Sequence, residues 1–137
     1  FFAVASDGTI TVRKPNDYVS SMIELAGGTY SLNGYVPEEE NALSTLKMQM
    51  EDFYAAEKDA DILIYNGTIE GELTSIDELV QKNSLFADFK AVKTGQVYTT
   101  GSNFYQQTSG TCDFIEDLNK VLNGETDAEY RFLKKIN

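Results

Sequence analysis

The chain has 137 residues, of which 42% are hydrophobic and 24% charged, a balance typical of a globular domain rather than a disordered segment. Its formal net charge of -11 argues against a nucleic-acid partner, because phosphate binding needs a basic face. Histidine is absent and Cys112 is the one cysteine, which excludes Ser-His-Asp and Cys-His catalysis, histidine-ligated zinc and an intrachain disulfide. No apolar run approaches the roughly 18 residues of a membrane helix.

The first twelve residues predict two short strands, because Ser6-Asp7-Gly8 stands between alternating β-forming residues. A strand followed by a loop and an extended lead into the next helix is the alternative. The chain begins within this strand-like run, without Met or a leader, so we expect a processed product or an excised domain.

A helix is predicted from Pro15-Asn16-Asp17 to about Ala26, with Asn16 or Asp17 as its N-cap and Gly27-Gly28 as its end. Its expected buried face consists of Val19, Met22, Ile23 and Ala26. A loop is expected over Thr29–Glu40. The three carboxylates Glu38 to Glu40 are interpreted as a solvated turn before a helix rather than as a metal or acid–base site.

The central unit is a predicted helix over Leu43–Glu57 that leads into a predicted buried strand over Ala60–Tyr65. The apolar residues at helical spacing are Leu43, Leu46, Met50, Phe53 and Tyr54. The strand ends at Tyr65-Asn66-Gly67. Ligands of open α/β sheets bind beyond the carboxyl ends of strands, so Tyr65 and Asn66 are candidate ligand contacts.

The second half of the chain predicts a loop over Gly67–Leu73 and further helices and strands. The helices are expected from Thr74, over Ser84–Val92, over Thr111–Leu122 and, after the capping-box pattern Thr126–Glu129, over a last segment that buries Tyr130, Leu133 and Ile136. A strand is expected over Gln96–Thr100. Cys112 is interpreted as a small buried apolar residue at a helix start. The alternation of strands and helices predicts a single α/β domain over residues 1–137, with a layered, mainly parallel sheet.

The order of these elements resembles the C-terminal lobe of substrate-binding proteins of ABC importers, in the class that binds iron-siderophores, haem and cobalamin. The segments that carry the resemblance are Met22–Gly28 (MIELAGG), Met50–Asn66 and Phe89–Tyr98 (FKAVKTGQVY). The resemblance implies a three-layer α/β sandwich that forms one of two lobes, with the other lobe and the connecting helix outside this chain. It also implies an extracytoplasmic protein, either periplasmic or held at the cell surface by a lipid anchor that lies outside this chain.

The same resemblance implies that a ligand of the iron-complex, haem or corrinoid type binds between the two lobes. The residues at the matching positions are Tyr35, Tyr65, Asn66, Phe104, Tyr105 and Gln106. Aromatic rings and amides suit ligand contact, since rings offer large rigid surfaces and amides orient polar groups. Tyr65 and Phe104 could instead be core residues. These loops carry no basic residues, which departs from binders of anionic ferric siderophores.

A glutamate at the start of the helix before the buried strand docks into the permease in this family, and Glu51 is the best match. Because the predicted helix is about two residues longer than the family pattern, Glu57 and Glu38 to Glu40 stay open as alternatives. An ordinary exposed helix position is the other interpretation of Glu51.

Two other functions are weighed against this one. A doubly wound enzyme should carry a nucleotide fingerprint, and neither G-x-G-x-x-G nor a P-loop lysine motif is present, so we expect no catalysis, no cofactor and no bound metal. A freestanding acidic interaction domain, which needs no second lobe, is the remaining alternative.

Overall fold

The computed structural model describes residues 1–14, 17–32, 45–101, 111–124, 130 and 132–136. Within them lies one sheet of six strands in the order β3-β2-β1-β4-β5-β6. The strands are β1 (Phe2–Val4), β2 (Ile10–Arg13), β3 (Thr45–Met48), β4 (Leu63–Tyr65), β5 (Val97–Thr100) and β6 (Leu133–Lys135).

The sheet is mixed in its pairing. The pairs β1–β4 and β4–β5 are parallel, and the pairs β1–β2, β2–β3 and β5–β6 are antiparallel. Strands β1, β3, β4 and β5 therefore share one direction, and β2 and β6 run against it. The expectation of a mainly parallel sheet is correct for the strand directions, but antiparallel pairs outnumber parallel ones.

Six α-helices and one 3₁₀ turn connect the described strands. They are α1 (Tyr18–Leu25), α2 (Met50–Glu57), α3 (Gly67–Glu70), α4 (Ile76–Lys82), the 3₁₀ turn (Ser84–Asp88), α5 (Lys90–Thr94) and α6 (Thr111–Leu122). Helix α1 begins at its predicted cap, because Asp17 Oδ1 accepts the backbone N–H groups of Val19 and Ser20 at 3.0 and 3.1 Å. It ends at Leu25, and Gly27, two residues further on, has a φ of +98°, which favours glycine.

The predicted helix over Leu43–Glu57 is wrong in its first part, where Thr45–Met48 forms β3 and pairs with β2. Leu46 and Met48 are buried and Lys47 between them is exposed, which is the two-residue period of a strand. The helix begins only at Met50. The predicted strand Ala60–Tyr65 is shorter than expected, with Ile62 half-buried before it and Ile64 buried within it.

The predicted last helix is also wrong where the structure describes it. Leu133–Lys135 is the edge strand β6, and residues 125–129 lie outside the described part. The start of β6 is fixed by the buried Asp117 of α6, whose Oδ2 accepts the N–H groups of Phe132 and Leu133 at 2.7 and 3.2 Å. Two smaller corrections apply, since the predicted loop Gly67–Leu73 contains α3 and the predicted helix Ser84–Val92 divides into the 3₁₀ turn and α5.

Helical segments contact both faces of the central strands. On one face, the Phe2 ring lies 5.1 Å from that of Phe53 in α2 and 5.6 Å from that of Phe86 in the 3₁₀ turn, measured between centroids. On the other face, Ile64 lines a cavity together with Ile23 of α1 and Leu118 of α6. This double coverage explains why every residue of β1, β4 and β5 is buried.

Candidate functional site

The carboxyl ends of β4 and β5 meet at one edge of the sheet, and β1 continues beyond them in the same direction. We call this edge the carboxyl edge. Tyr65 pairs with Phe2 on one side and with Thr99 on the other. The N–H of Asn66 continues the ladder by donating to the carbonyl of Phe2 at 2.6 Å. Ligands of α/β proteins collect at such an edge, so it is the candidate functional site.

Asn66 and Gly67 form the turn from β4 into α3. Asn66 is 6% exposed, and its Oδ1 accepts the backbone N–H of Thr68 at 3.1 Å and the Thr68 hydroxyl at 2.6 Å. The N–H of Gly67 donates to Oγ1 of Thr100 at 3.0 Å. Asn66 therefore caps a helix, and ligand contact by its side chain stays a prediction.

Tyr65 lies in the core at the carboxyl edge, with 0% of its surface exposed. Its ring makes an edge contact with Phe2, at 5.5 Å between centroids and 83° between planes. The ammonium group of Lys82 lies 5.9 Å from the Tyr65 centroid, within reach of a cation–π interaction. The packing agrees with the core interpretation of Tyr65, and a ligand contact stays a prediction.

A shallow groove of about 310 Å³ lies beside these residues, between α3 and α4. It is lined by Gly71, Glu72, Leu73, Glu78, Gln81 and Lys82. Leu73 connects it to the edge, because its N–H donates to Oγ1 of Thr99 at 3.4 Å. The groove therefore opens next to the carboxyl ends of β4 and β5.

The carboxylates of this groove are already engaged. Glu72 forms an ion pair with Lys134 at 2.8 Å. Glu78 accepts the Thr74 hydroxyl at 2.6 Å and the Thr74 N–H at 3.0 Å, and these hydrogen bonds lower the pKa of Glu78. Lys82 and Lys134 bring positive charge to the carboxyl edge. This charge was not predicted from the sequence, because both lysines lie far along the chain from the end of β4.

Glu51 is exposed in the first turn of α2, as the second residue of that helix. Since β3 runs in the same direction as β4, α2, which follows β3, begins on the side of the carboxyl edge. Strand β3 lies three strand spacings from β4, a lateral separation of about 14 Å. Glu51 has no ion-pair partner among the residues that the structure describes.

Glu57, the alternative at the other end of α2, is 4% exposed. Its Oε2 accepts the hydroxyl of Ser31 at 2.6 Å, and desolvation raises the pKa of its carboxyl group. Burial disfavours Glu57 as a docking residue, and the choice of glutamate stays a prediction. Glu38 to Glu40, Tyr35, Phe104, Tyr105 and Gln106 lie outside the described residues.

A second concave feature lies at the opposite end of the strands, where α1, α6 and the residues before β4 enclose a cavity of about 420 Å³. Among the described residues, no group of three or more acids or cysteines is arranged to hold a metal ion. In the same part of the chain, no helix is long and apolar enough to cross a membrane.

The fold is similar to that of a solved ABC transporter substrate-binding protein from Listeria monocytogenes EGD-e, with a TM-score of 0.59 and 19% sequence identity. The superposition covers 88% of this chain and 45% of that protein. This chain spans about half the length of that protein. At this level of identity the likeness shows the fold alone. No protein-family model and no curated protein matches the sequence.

Proposed function

We propose that the chain is one lobe of the extracytoplasmic solute-binding component of an ABC importer. The observation that carries the proposal is the fold similarity to a substrate-binding protein over 88% of this chain but 45% of the other. A single lobe of a two-lobed protein would give this coverage. The helices that contact both faces of β1 and β4 support a three-layer sandwich for the lobe.

The proposed ligand site is the carboxyl edge, facing a second lobe. The groove beside it is shallow, as expected for half of a cleft that two lobes close together. We propose an iron complex, haem or corrinoid as the ligand class, with contacts from Tyr35, Tyr65, Asn66, Phe104, Tyr105 and Gln106. Lys82 adds a positive charge at this edge, which suits carboxylate-bearing ligands of this class.

Glu51 is the proposed docking residue for the permease. It is exposed at the N-terminus of α2, where the helix dipole stabilises its carboxylate. Because the carboxylate is exposed, a cationic side chain of a partner protein can reach it. Charged contacts of this kind set the register and the encounter rate of two proteins.

The test is an uptake assay with the longer importer component that would contain this lobe, carrying Glu51→Gln. The matched control is Asp52→Asn, because Asp52 is also exposed and lies in the same helical turn. We expect Glu51→Gln to lower uptake and leave ligand affinity unchanged, since truncating one partner of a buried charge pair costs about 2–5 kcal/mol at the interface.

Unchanged uptake with Glu51→Gln would remove Glu51 from the docking surface. Equal loss with both variants would point to the general charge of the turn rather than to Glu51. Loss of ligand affinity with Glu51→Gln would place the residue in the ligand site instead.

A further inference from the structure

The cavity at the amino end of β4 is separate from the carboxyl edge. It lies between the end of α1, the end of α6 and the residues that lead into β4, at the opposite end of the strand from Asn66. Its volume of about 420 Å³ falls within the roughly 300–1,000 Å³ of small-molecule sites.

The walls of the cavity are largely apolar and come from three elements. Ile23 of α1, Leu118 and Val121 of α6, and Ile62 and Ile64 on the β4 side contribute them. Ile23, Leu118, Val121 and Ile64 also belong to the buried core, so these walls are held in place by the packing of the whole domain. A hydrocarbon body would be stabilised here, because it would remove this apolar surface from water.

The polar groups of the cavity carry negative charge. Asp59 and Asp61 line it where the chain enters β4, and the ammonium group of Lys90 offsets Asp61 at 2.6 Å. Asp59 is exposed and has no ion-pair partner among the described residues.

Ser31 lines another side of the cavity, and its hydroxyl donates to the buried carboxylate of Glu57. The second oxygen of Glu57, Oε1, accepts no hydrogen bond within the described part of the chain. Asp59 and Asp61 against the one ammonium group of Lys90 leave the lining of the cavity negative.

We propose that this cavity binds a small organic cation that has an apolar body. The apolar walls match the carbon skeleton, and Asp59 with the Ser31–Glu57 pair matches the ammonium group. The site goes beyond the proposed transport function, because it lies at the other end of the sheet and needs no second lobe.

The experiment titrates the 137-residue chain with phenylbutylammonium and follows backbone amide shifts by NMR. Phenylbutanol and phenylbutanoate are the matched probes, because they keep the carbon body and replace the cation by a neutral or an anionic group. We expect the ammonium probe to bind at least threefold more tightly than the alcohol and the carboxylate probe to bind least. The shifted amides should include Gly28, Thr29 and Ser31.

Two variants test the two halves of the site. Asp59→Asn should weaken binding of the ammonium probe about two- to fivefold, the range expected for an exposed ion pair. Binding of the alcohol probe should be unchanged. Asp52→Asn is its control, since Asp52 is exposed at the far end of α2. Thr29→Trp places a ring at an exposed position of the cavity wall and should abolish binding of both probes without disturbing the core.

The alternative outcomes overturn the proposal. Equal affinity for the three probes would show an apolar cavity without charge selection. Shifts confined to Asn66, Thr68 and Gly71 would place the cation at the carboxyl edge, and an absence of shifts would leave the cavity without a ligand of this class.

Discussion

Gly67, the first residue of α3, is a position at the carboxyl edge where the structure leaves no room for a side chain. A Cβ there would overlap the carbonyl oxygen of Thr100 and lie 3.2 Å from Cα of Glu72. Both are backbone atoms, so no rotation of a side chain relieves the contact. We therefore expect Gly67→Ala to push α3 away from β5.

The cost follows from two effects. Overpacking of a filled site typically costs about 1–3 kcal/mol. The displacement also lengthens the buried hydrogen bond from the Gly67 N–H to Thr100, now 3.0 Å, and a lost partner costs about 1–3 kcal/mol. The free energy of unfolding should fall by about 2–6 kcal/mol, a large part of the roughly 5–15 kcal/mol of an ordinary domain.

Urea unfolding followed by circular dichroism measures this change. With a slope of about 1–3 kcal/mol per molar, the midpoint should fall by about 1 M or more. Gly95→Ala is the matched control, because Gly95 has a φ of +74° and no atom within 4 Å of an added Cβ. Strain alone should cost that variant about 1–2 kcal/mol. The reasoning is refuted if Gly67→Ala loses no more stability than Gly95→Ala.

The remaining predictions concern a buried acid and the ligand. Burial raises the pKa of Glu57 above its ordinary value of 4.5, so its contribution to stability is complete below pH 4.5 and declines as the pH rises through the raised pKa. Glu57→Gln keeps an acceptor for the Ser31 hydroxyl and removes the titrating group, so it should flatten this decline in stability. Urea unfolding between pH 4 and about pH 8 would measure the change. Parallel pH profiles of the variant and the wild type would contradict the prediction. The isolated chain should bind haem, a corrinoid or a ferric siderophore weakly, because the facing lobe is absent, and calorimetric titration would show this. Tight binding by the chain alone would argue against a shared site between lobes.

Part of the candidate site could be predicted from the sequence. The turn at Asn66-Gly67 after an apolar run located the carboxyl end of β4 correctly. The role of Asn66 in capping α3 escaped notice, since only the structure shows its oxygen bonded to Thr68. Lys82 and Lys134 reach this edge through α4 and β6, and no local pattern signals that arrangement.

Elements that carry local signals could be predicted correctly from the sequence alone. The hairpin around Asp7-Gly8 and the cap of α1 at Asp17 are examples, because turn chemistry and side-chain capping act within a few residues. The strand that precedes Tyr65 is another, since its continuous apolar run suits a strand with both faces covered.

Some segments have apolar residues whose spacing fits both a strand and a helix, and long-range pairing in the folded chain determined which one forms. Leu46, Met48 and Met50 satisfy a strand as well as part of a helix, and pairing with β2 fixed the strand up to Met48. Leu133 and Ile136 fit a helical face, yet pairing with β5 and the hydrogen bonds to Asp117 made β6. Strand pairing joins residues that lie far apart in the chain, so the local sequence does not reveal it. The free energy of that pairing can outweigh a local preference for helix.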